Sequence, residues 1–336
     1  MVLIYKCKSC GSDMSYDIKK GLLKCRSCGI EKSISEAESE RPLPSEPAET
    51  ETFHCPSCGA PFKADPNTAS LSCSFCGTPA ILTPRLTGEN APRYLIPFRF
   101  DKGEAVERYK KWCRFGLITP SGMMKKSHIG ELTGEYVPFW LYNIDTNTKL
   151  NAKCTNTRIY RMGNSEYTEI SFYDVYRDMD LGFLKIPSDA SERMNDALMD
   201  LLEPYDYSGL SDFRMPFLSG FFSEKFNYSG DEMYARVKKR VDDYCEQQVR
   251  STISGYGMVS VVSSQVETLS AESAFALLPV YSLLYTYKDK TYLFAMNGQT
   301  GKISGKPPIS KFKVFLWFMG LTGLFFGLIR LVSLFI

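Results

Sequence analysis

Four short cysteine motifs limit what the first quarter of this chain can become. Cys7-Lys-Ser-Cys10-Gly11 and Cys25-Arg-Ser-Cys28-Gly29 recur as Cys55-Pro-Ser-Cys58-Gly59 and Cys73-Ser-Phe-Cys76-Gly77, each cysteine displaced by 48 positions, since 55 − 7 and 73 − 25 both equal 48. Within each copy 14 residues separate the two pairs. That spacing suits a short hairpin bringing two knuckles around one ion. The glycine after each second cysteine allows a tight turn with positive φ, so that backbone amides point at the thiolate sulfurs. The expected ligands are Cys7, Cys10, Cys25 and Cys28 for one ion, and Cys55, Cys58, Cys73 and Cys76 for another, giving two zinc ions. Four thiolates fill a tetrahedral ion and leave no position for water, so the site is of the closed structural kind. Iron in a rubredoxin-like site is the alternative that four thiolates also suit. His54 adjoins Cys55 but would be a fifth ligand. A module of about 25 residues cannot build an adequate core, so bound metal is expected to supply most of its folding free energy.

The rest of the chain divides by composition. Residues 1–30 form the first ribbon and 53–84 the second. Between them, 31–52 reads EKSISEAESERPLPSEPAETET, with seven glutamates against Lys32 and Arg41 and few large apolar residues, which predicts a disordered acidic linker. Residues 85–304 are expected to be a central α+β domain with an antiparallel sheet. Asp101 is placed to cap a helix with Ala105, Val106, Tyr109, Trp112 and Cys113 on its apolar stripe. From Glu135 to Ile186, β-formers alternate with turn residues, predicting strands at Glu135–Thr146, Lys149–Tyr160 and Tyr167–Val175. Two capping boxes, Asp189 with Glu192 and Ser229 with Glu232, predict helix starts. Met233, Val237, Val241, Tyr244 and Cys245 are the expected buried face of the second helix. Further strands are expected around 258–266, 276–287 and 291–296, with turns at Lys288-Asp289 and Asn297-Gly298.

Residues 305–313 are basic and 314–336 almost wholly apolar. As a helix the run from Phe312 spans roughly 35 Å against about 30 Å of hydrocarbon, so it predicts a membrane-crossing helix rather than a core helix. Lys302, Lys306, Lys311 and Lys313 precede it and Arg330 lies near its far end, which places the N-terminal bulk in the cytoplasm. The first residues carry no secretory signal pattern. Eleven cysteines in a reducing compartment therefore point to metal before disulfide. Gly320, Gly323, Gly327 and Arg330 fall on one helical face, with a GxxxG pair where a second helix could approach.

The same sequence argues against several functions. A net charge of +2 gives no bulk attraction for nucleic acid. Locally, Lys6, Lys8, Lys19, Lys20, Lys24 and Arg26 against Asp13 and Asp17 make the first module basic, and Arg108, Lys110, Lys111 and Arg114, with Lys125 and Lys126, do the same for one helix face; solvated surface is the better reading of both. NGQTGKISGKPP misses the spacing of a phosphate loop, and Pro307 follows its last lysine, so it reads as a hairpin turn. The two histidines, His54 and His128, have no nucleophile or acidic dyad beside them. Cys113, Cys154 and Cys245 read as buried hydrophobes. No enzyme is expected.

The paired CxxCG units, YLIPFRFDKGEA, GEYVPFWLYNID, LLPVYSLLYTYKDKTYLFAMNGQTGK and the terminal apolar run together resemble a bacterial family of zinc-ribbon membrane proteins, over nearly the whole chain. Some members carry a primosomal-helicase label, which this sequence contradicts by lacking a helicase core. Within that family the chain looks closest to a component encoded beside phage-shock protein A in Gram-positive bacteria. The resemblance implies a membrane-stress role in which the protein helps hold a phage-shock protein A-like or flotillin-like partner at the membrane. The expected function is thus a membrane-anchored adaptor that recruits proteins. The alternative is a membrane-bound nucleic-acid-binding zinc protein.

Overall fold

The computed structural model describes residues 2–40, 52–116, 118–124, 132–288 and 290–332. His128, Lys125, Lys126 and most of the expected linker, 41–51, lie outside them. The chain forms two compact units: Met1–Pro138, Ser191–Asn227 and Ala276–Ile336 make one, and Phe139–Ala190 with Tyr228–Phe275 the other. The single central domain expected over 85–304 is therefore not one body.

The first unit begins with β1 (Val2–Leu3), followed by β2 (Met14–Asp17), β3 (Leu22–Cys25) and β4 (Glu31–Lys32), the last three forming a small antiparallel sheet. The linker expectation fails at its start, because α1 (Ile34–Ser39) follows directly. Ser33 and Glu36 make a reciprocal capping box, and Ile34 and Ala37, three apart, bury a narrow apolar edge. Glu38 accepts a hydrogen bond from the Met215 amide at 3.1 Å, which ties the helix to the body. Next come the hairpin β5 (Thr52–His54) and β6 (Pro61–Lys63), then β7 (Thr68–Ser72) and β8 (Pro79–Leu82). After β9 (Tyr94–Leu95), Asp101 caps α2 (Lys102–Phe115) in a second reciprocal box with Glu104, and Ala105, Tyr109 and Cys113 are its buried stripe.

Three long strands replace the shorter ones expected. β10 (Thr133–Met162) runs for 30 residues and turns at Gly163, φ 63°, into β11 (Ser165–Asp189). Asp189 closes this strand and starts no helix. The helix instead begins seven residues on, as α3 (Asp196–Leu202), where Asn195 accepts from the Leu198 amide at 3.0 Å. After β12 (Ser211–Asp212) and β13 (Phe222–Glu224) comes α4 (Gly230–Ser251), with the Ser229–Glu232 capping box as expected. β14 (Met258–Tyr287) is again one strand where two were expected, followed by β15 (Lys290–Asn297) and β16 (Ile303–Gly305). The large sheet runs β1-β8-β7-β13-β10-β14-β15-β16, with β9 beside β14. It is mixed rather than antiparallel: Glu135 and Tyr136 pair in parallel with Phe222 and Ser223, and Ala276 and Leu277 with Tyr94 and Leu95.

In the first unit the core gathers Phe98, Tyr136, Phe221 and Tyr281, with ring centroids 4.6 to 5.6 Å apart for the pairs that Phe98 and Tyr136 make with Phe221 and for the Phe98 contacts to Tyr136 and Tyr281. Nearby, buried Glu135 on β10 and Glu224 on β13 share Arg193, which bonds Glu135 and lies 2.8 Å from Glu224; Ser191 donates to the other Glu224 oxygen at 2.9 Å. Burial raises the Glu135 carboxyl above its usual range although Arg193 opposes it.

In the second unit the β10–β11 hairpin and the first part of β14 support α4. Val237, Val241 and Cys245 pack on Tyr142 and Ile144, and Val249 on Leu150, Ala152 and Cys154. Met233 only borders this core, and Tyr244, expected inside, is exposed and meets Phe183 edge-on. Steps of four turn the buried stripe by about 40° each, so from Val237 through Val241 and Cys245 to Val249 it drifts around the helix, and Tyr244, nearly level with Val237, is left at its trailing edge. Cys113, Cys154 and Cys245 are all buried, as hydrophobes would be.

The C-terminal helix α5 (Lys311–Val332) begins on Ser310, whose carbonyl accepts from Val314 at 3.0 Å. Its base is fixed within the first unit by Ser310 donating to Ile118 O at 2.8 Å and Lys313 to Thr119 O at 2.7 Å. None of its described residues is buried, and it is long and apolar enough to cross a membrane by length and composition.

Candidate metal centres

The sequence builds each knuckle the same way. Cys7, Cys25, Cys55 and Cys73 each donate their amide to the carbonyl five residues on, at 2.8 to 3.0 Å, and each accepts from the glycine four residues on, at 2.8 to 3.2 Å. Gly11, Gly29, Gly59 and Gly77 sit at φ 71°, 77°, 76° and 73°, the left-handed turn expected of them. The hairpins β2–β3 and β7–β8 then carry the second knuckle of each module.

The eight expected cysteines fall into two groups of four. Within each, all four sulfurs lie within 4.8 Å of one another. Cys7 to Cys28 is 3.6 Å, Cys10 to Cys25 3.5 Å and Cys10 to Cys28 3.4 Å. In the second group Cys55 to Cys76 is 3.7 Å and Cys58 to Cys73 3.9 Å. A tetrahedron with metal–sulfur bonds of about 2.3 Å has edges of about 3.8 Å, so both groups fit one four-coordinate ion each. In each, the first cysteine of a pair is buried and the second exposed, the geometry of a surface knuckle rather than an internal cavity. His54 lies outside the group, exposed on β5.

Local donors tune the sulfurs. Amides of Cys28 and then Ser27 help draw the Cys25 thiol down to about 6. Cys28 and Cys58 rise to about 12: the amides of Ile30 and Ala60 pull downward, but the neighbouring thiols and burial outweigh them.

The modules do not hang on a tether, contrary to expectation. β1 of the first pairs with β8 of the second, Val2 opposite Leu82 and Leu3 opposite Ile81, and β7 pairs with β13 of the large sheet. Tyr16 of the first module packs edge-on against Phe217 and Phe221, while Ser219 donates to Met14 O at 2.7 Å. Lys6, Asp13 and Arg26, which the sequence marks only as charged surface, also bond the two modules together with Ser57 and Thr78, and nothing in the motifs marks any of the five as a joint. The basic face of the first module is also largely paired: Lys6 with Asp13, Lys8 with Glu40, Lys19 with Asp101 and Lys20 with Glu31.

Two four-cysteine centres docked on a mixed-sheet body that ends in an apolar helix define a class of two-centre cysteine-module proteins. No family model and no solved structure matches the chain. It is 42% identical over 335 residues to YdjG of Bacillus subtilis (strain 168), across 99% of this chain and 98% of that protein. The chain therefore belongs to the YdjG family.

Proposed function

We propose that this protein is a membrane-anchored, cytoplasm-facing adaptor whose two zinc ribbons shape a surface for recruiting other proteins. The observation that carries the reading is α5, a 22-residue apolar helix with no buried residue, fixed at its base to the body that holds both cysteine centres. Exposed apolar side chains along its whole length are stable in lipid and costly in water. The lysines ahead of it favour a cytoplasmic body. Four-thiolate sites without an open position support a structural rather than a catalytic ion. The partner class, a phage-shock protein A-like or flotillin-like membrane protein in a stress response, rests on the family resemblance of the motifs quoted above. Affinity purification from detergent-solubilised membranes tests it, using the full chain and a chain ending at Ser310. Recovery of a membrane-associated partner with the full chain supports recruitment. Recovery of nucleic acid in a salt-dependent manner, without protein partners, would sink it in favour of the nucleic-acid reading.

A further inference from the structure

Each knuckle of the first centre is bonded to a knuckle of the second. Lys6, beside Cys7, donates to Ser57 Oγ at 2.9 Å, beside Cys58. Arg26, beside Cys25, donates to the Gly77 carbonyl at 3.3 Å, beside Cys76. Between them, Thr78 places its hydroxyl 3.3 Å from Cys76 Sγ and donates to Asp13 Oδ2, while Asp13 Oδ1 takes Lys6 at 2.8 Å. Asp13 is thus the middle of a chain running from one module to a sulfur of the other, and its side chain is only 17% exposed.

We propose that the two centres load metal as a coupled pair, with Asp13 and Arg26 acting as positioning residues for the ion held by Cys55, Cys58, Cys73 and Cys76. Groups that orient a ligand from outside the coordination sphere set how much ordering the ion must drive, and their loss weakens metal binding about 10- to 100-fold. Here those groups sit on a module whose own shape depends on its ion, because so small a module lacks an adequate core. Filling the first centre fixes Asp13 and Arg26, and these fix the Cys76-Gly77-Thr78 turn. Coupling of this kind is reciprocal, so filling the second centre tightens the first by the same factor. The inference rests on the zinc reading of both centres.

The test is zinc titration of the purified full-length protein in detergent against a chromophoric chelator. Cys28→Ser leaves the second centre alone, and Cys76→Ser leaves the first alone. Each surviving centre is expected to bind zinc about tenfold or more weakly than in the intact protein. Asp13→Asn in the otherwise intact protein should weaken loading of the second centre about tenfold, yet shift it by less than about threefold in the Cys28→Ser background, where the coupling is already lost. Thr78→Val should copy the loss and Thr78→Ser restore binding, a rescue that general loosening of the fold would not give. Arg26→Gln supplies an independent arm should Asp13→Asn fail to fold. Two zinc ions bound with affinities indifferent to these changes overturn the coupling alone. A larger effect of Asp13→Asn on its own centre than on the other also overturns it. Failure of the intact protein to bind zinc overturns the zinc reading as well.

Discussion

At the scale of single residues, the knuckle glycines separate backbone cost from crowding. A Cβ built on Gly59 meets no atom within 4 Å, but its φ of +76° is one that L residues enter at about 1–2 kcal/mol. Gly59→Ala should therefore destabilise the second module by that amount and speed zinc loss to a chelator, with Gly59→Asn milder; melting and chelator assays read both. Arg193 offers the opposite case, a side chain half exposed that serves two carboxylates which are not. Its removal leaves Glu135 and Glu224 buried without a cation. Breaking a fully buried pair costs about 3–5 kcal/mol, and solvent around Arg193 brings the expectation for Arg193→Ala nearer about 2 kcal/mol. Adding Glu135→Gln should recover part of the loss in denaturant unfolding. No recovery would mean that the packing of Arg193 on the Phe222 ring, 4.5 Å away, is what matters.

At the scale of elements, the N-terminus of α2 joins local and long-range stabilisation. Asp101 accepts from the Glu104 amide at 2.9 Å and pairs with Lys19 of the first module at 2.8 Å. The Lys19 hydrogen bond, then the Glu104 amide, hold the Asp101 carboxyl below its usual range. A depressed carboxyl stabilises the fold at every pH above its unfolded value of about 3.9, and that contribution disappears as pH falls through the folded value. Asp101→Ala should cost about 1 kcal/mol at neutral pH, and the gap from wild type should close below about pH 4. A gap independent of pH would show that the carboxylate charge contributes nothing. On α5, a Cβ at Gly320, Gly323 or Gly327 would meet nothing within 4 Å, so the face is open to another helix, and Arg330 at its end lies over the Phe326 ring at 5.8 Å. Gly323→Leu with Gly327→Leu, and separately Arg330→Leu, should leave membrane insertion unchanged but reduce co-purification of a helix partner. Full retention of partners by both variants removes that role from the face.

At the scale of the molecule, anchoring and folding are expected to be separable. α5 buries no described residue, so a chain ending at Ser310 should leave the membrane fraction in high salt with its melting transition nearly unchanged. Among the described residues, the Lys313 bond to Thr119 ties the removed segment to the body. Retention on membranes would transfer the anchor to another surface of the body, such as the α2 face with Lys110 and Lys111. A lost transition would show that the base of α5 helps hold the first unit together.

What the sequence determined by itself is whatever depends on neighbours in the chain. CxxCG spacing carried the knuckles and their positive-φ glycines, because a four-sulfur site is drawn from two local turns. Ser229 with Glu232 and Asp101 with Glu104 marked two helix starts, because a cap bonds within its own first turn. The apolar run marked α5, because an all-round apolar helix needs no tertiary pattern to be seen. The tertiary structure alone decided what joins across distance. Long strands replaced pairs of short ones where cross-strand partners bridged residues that locally resemble turns, as at Asn147 of β10, which donates to Asp178 and Asp180 of β11 at 2.8 and 2.9 Å. Parallel pairing at Glu135 and Ala276 joins segments far apart in the chain, and no local propensity encodes which strand lies beside which. The joint between the cysteine modules is of the same kind: Lys6, Asp13, Arg26 and Thr78 are ordinary surface residues in the chain, and they become a bridge only because β1 lies against β8.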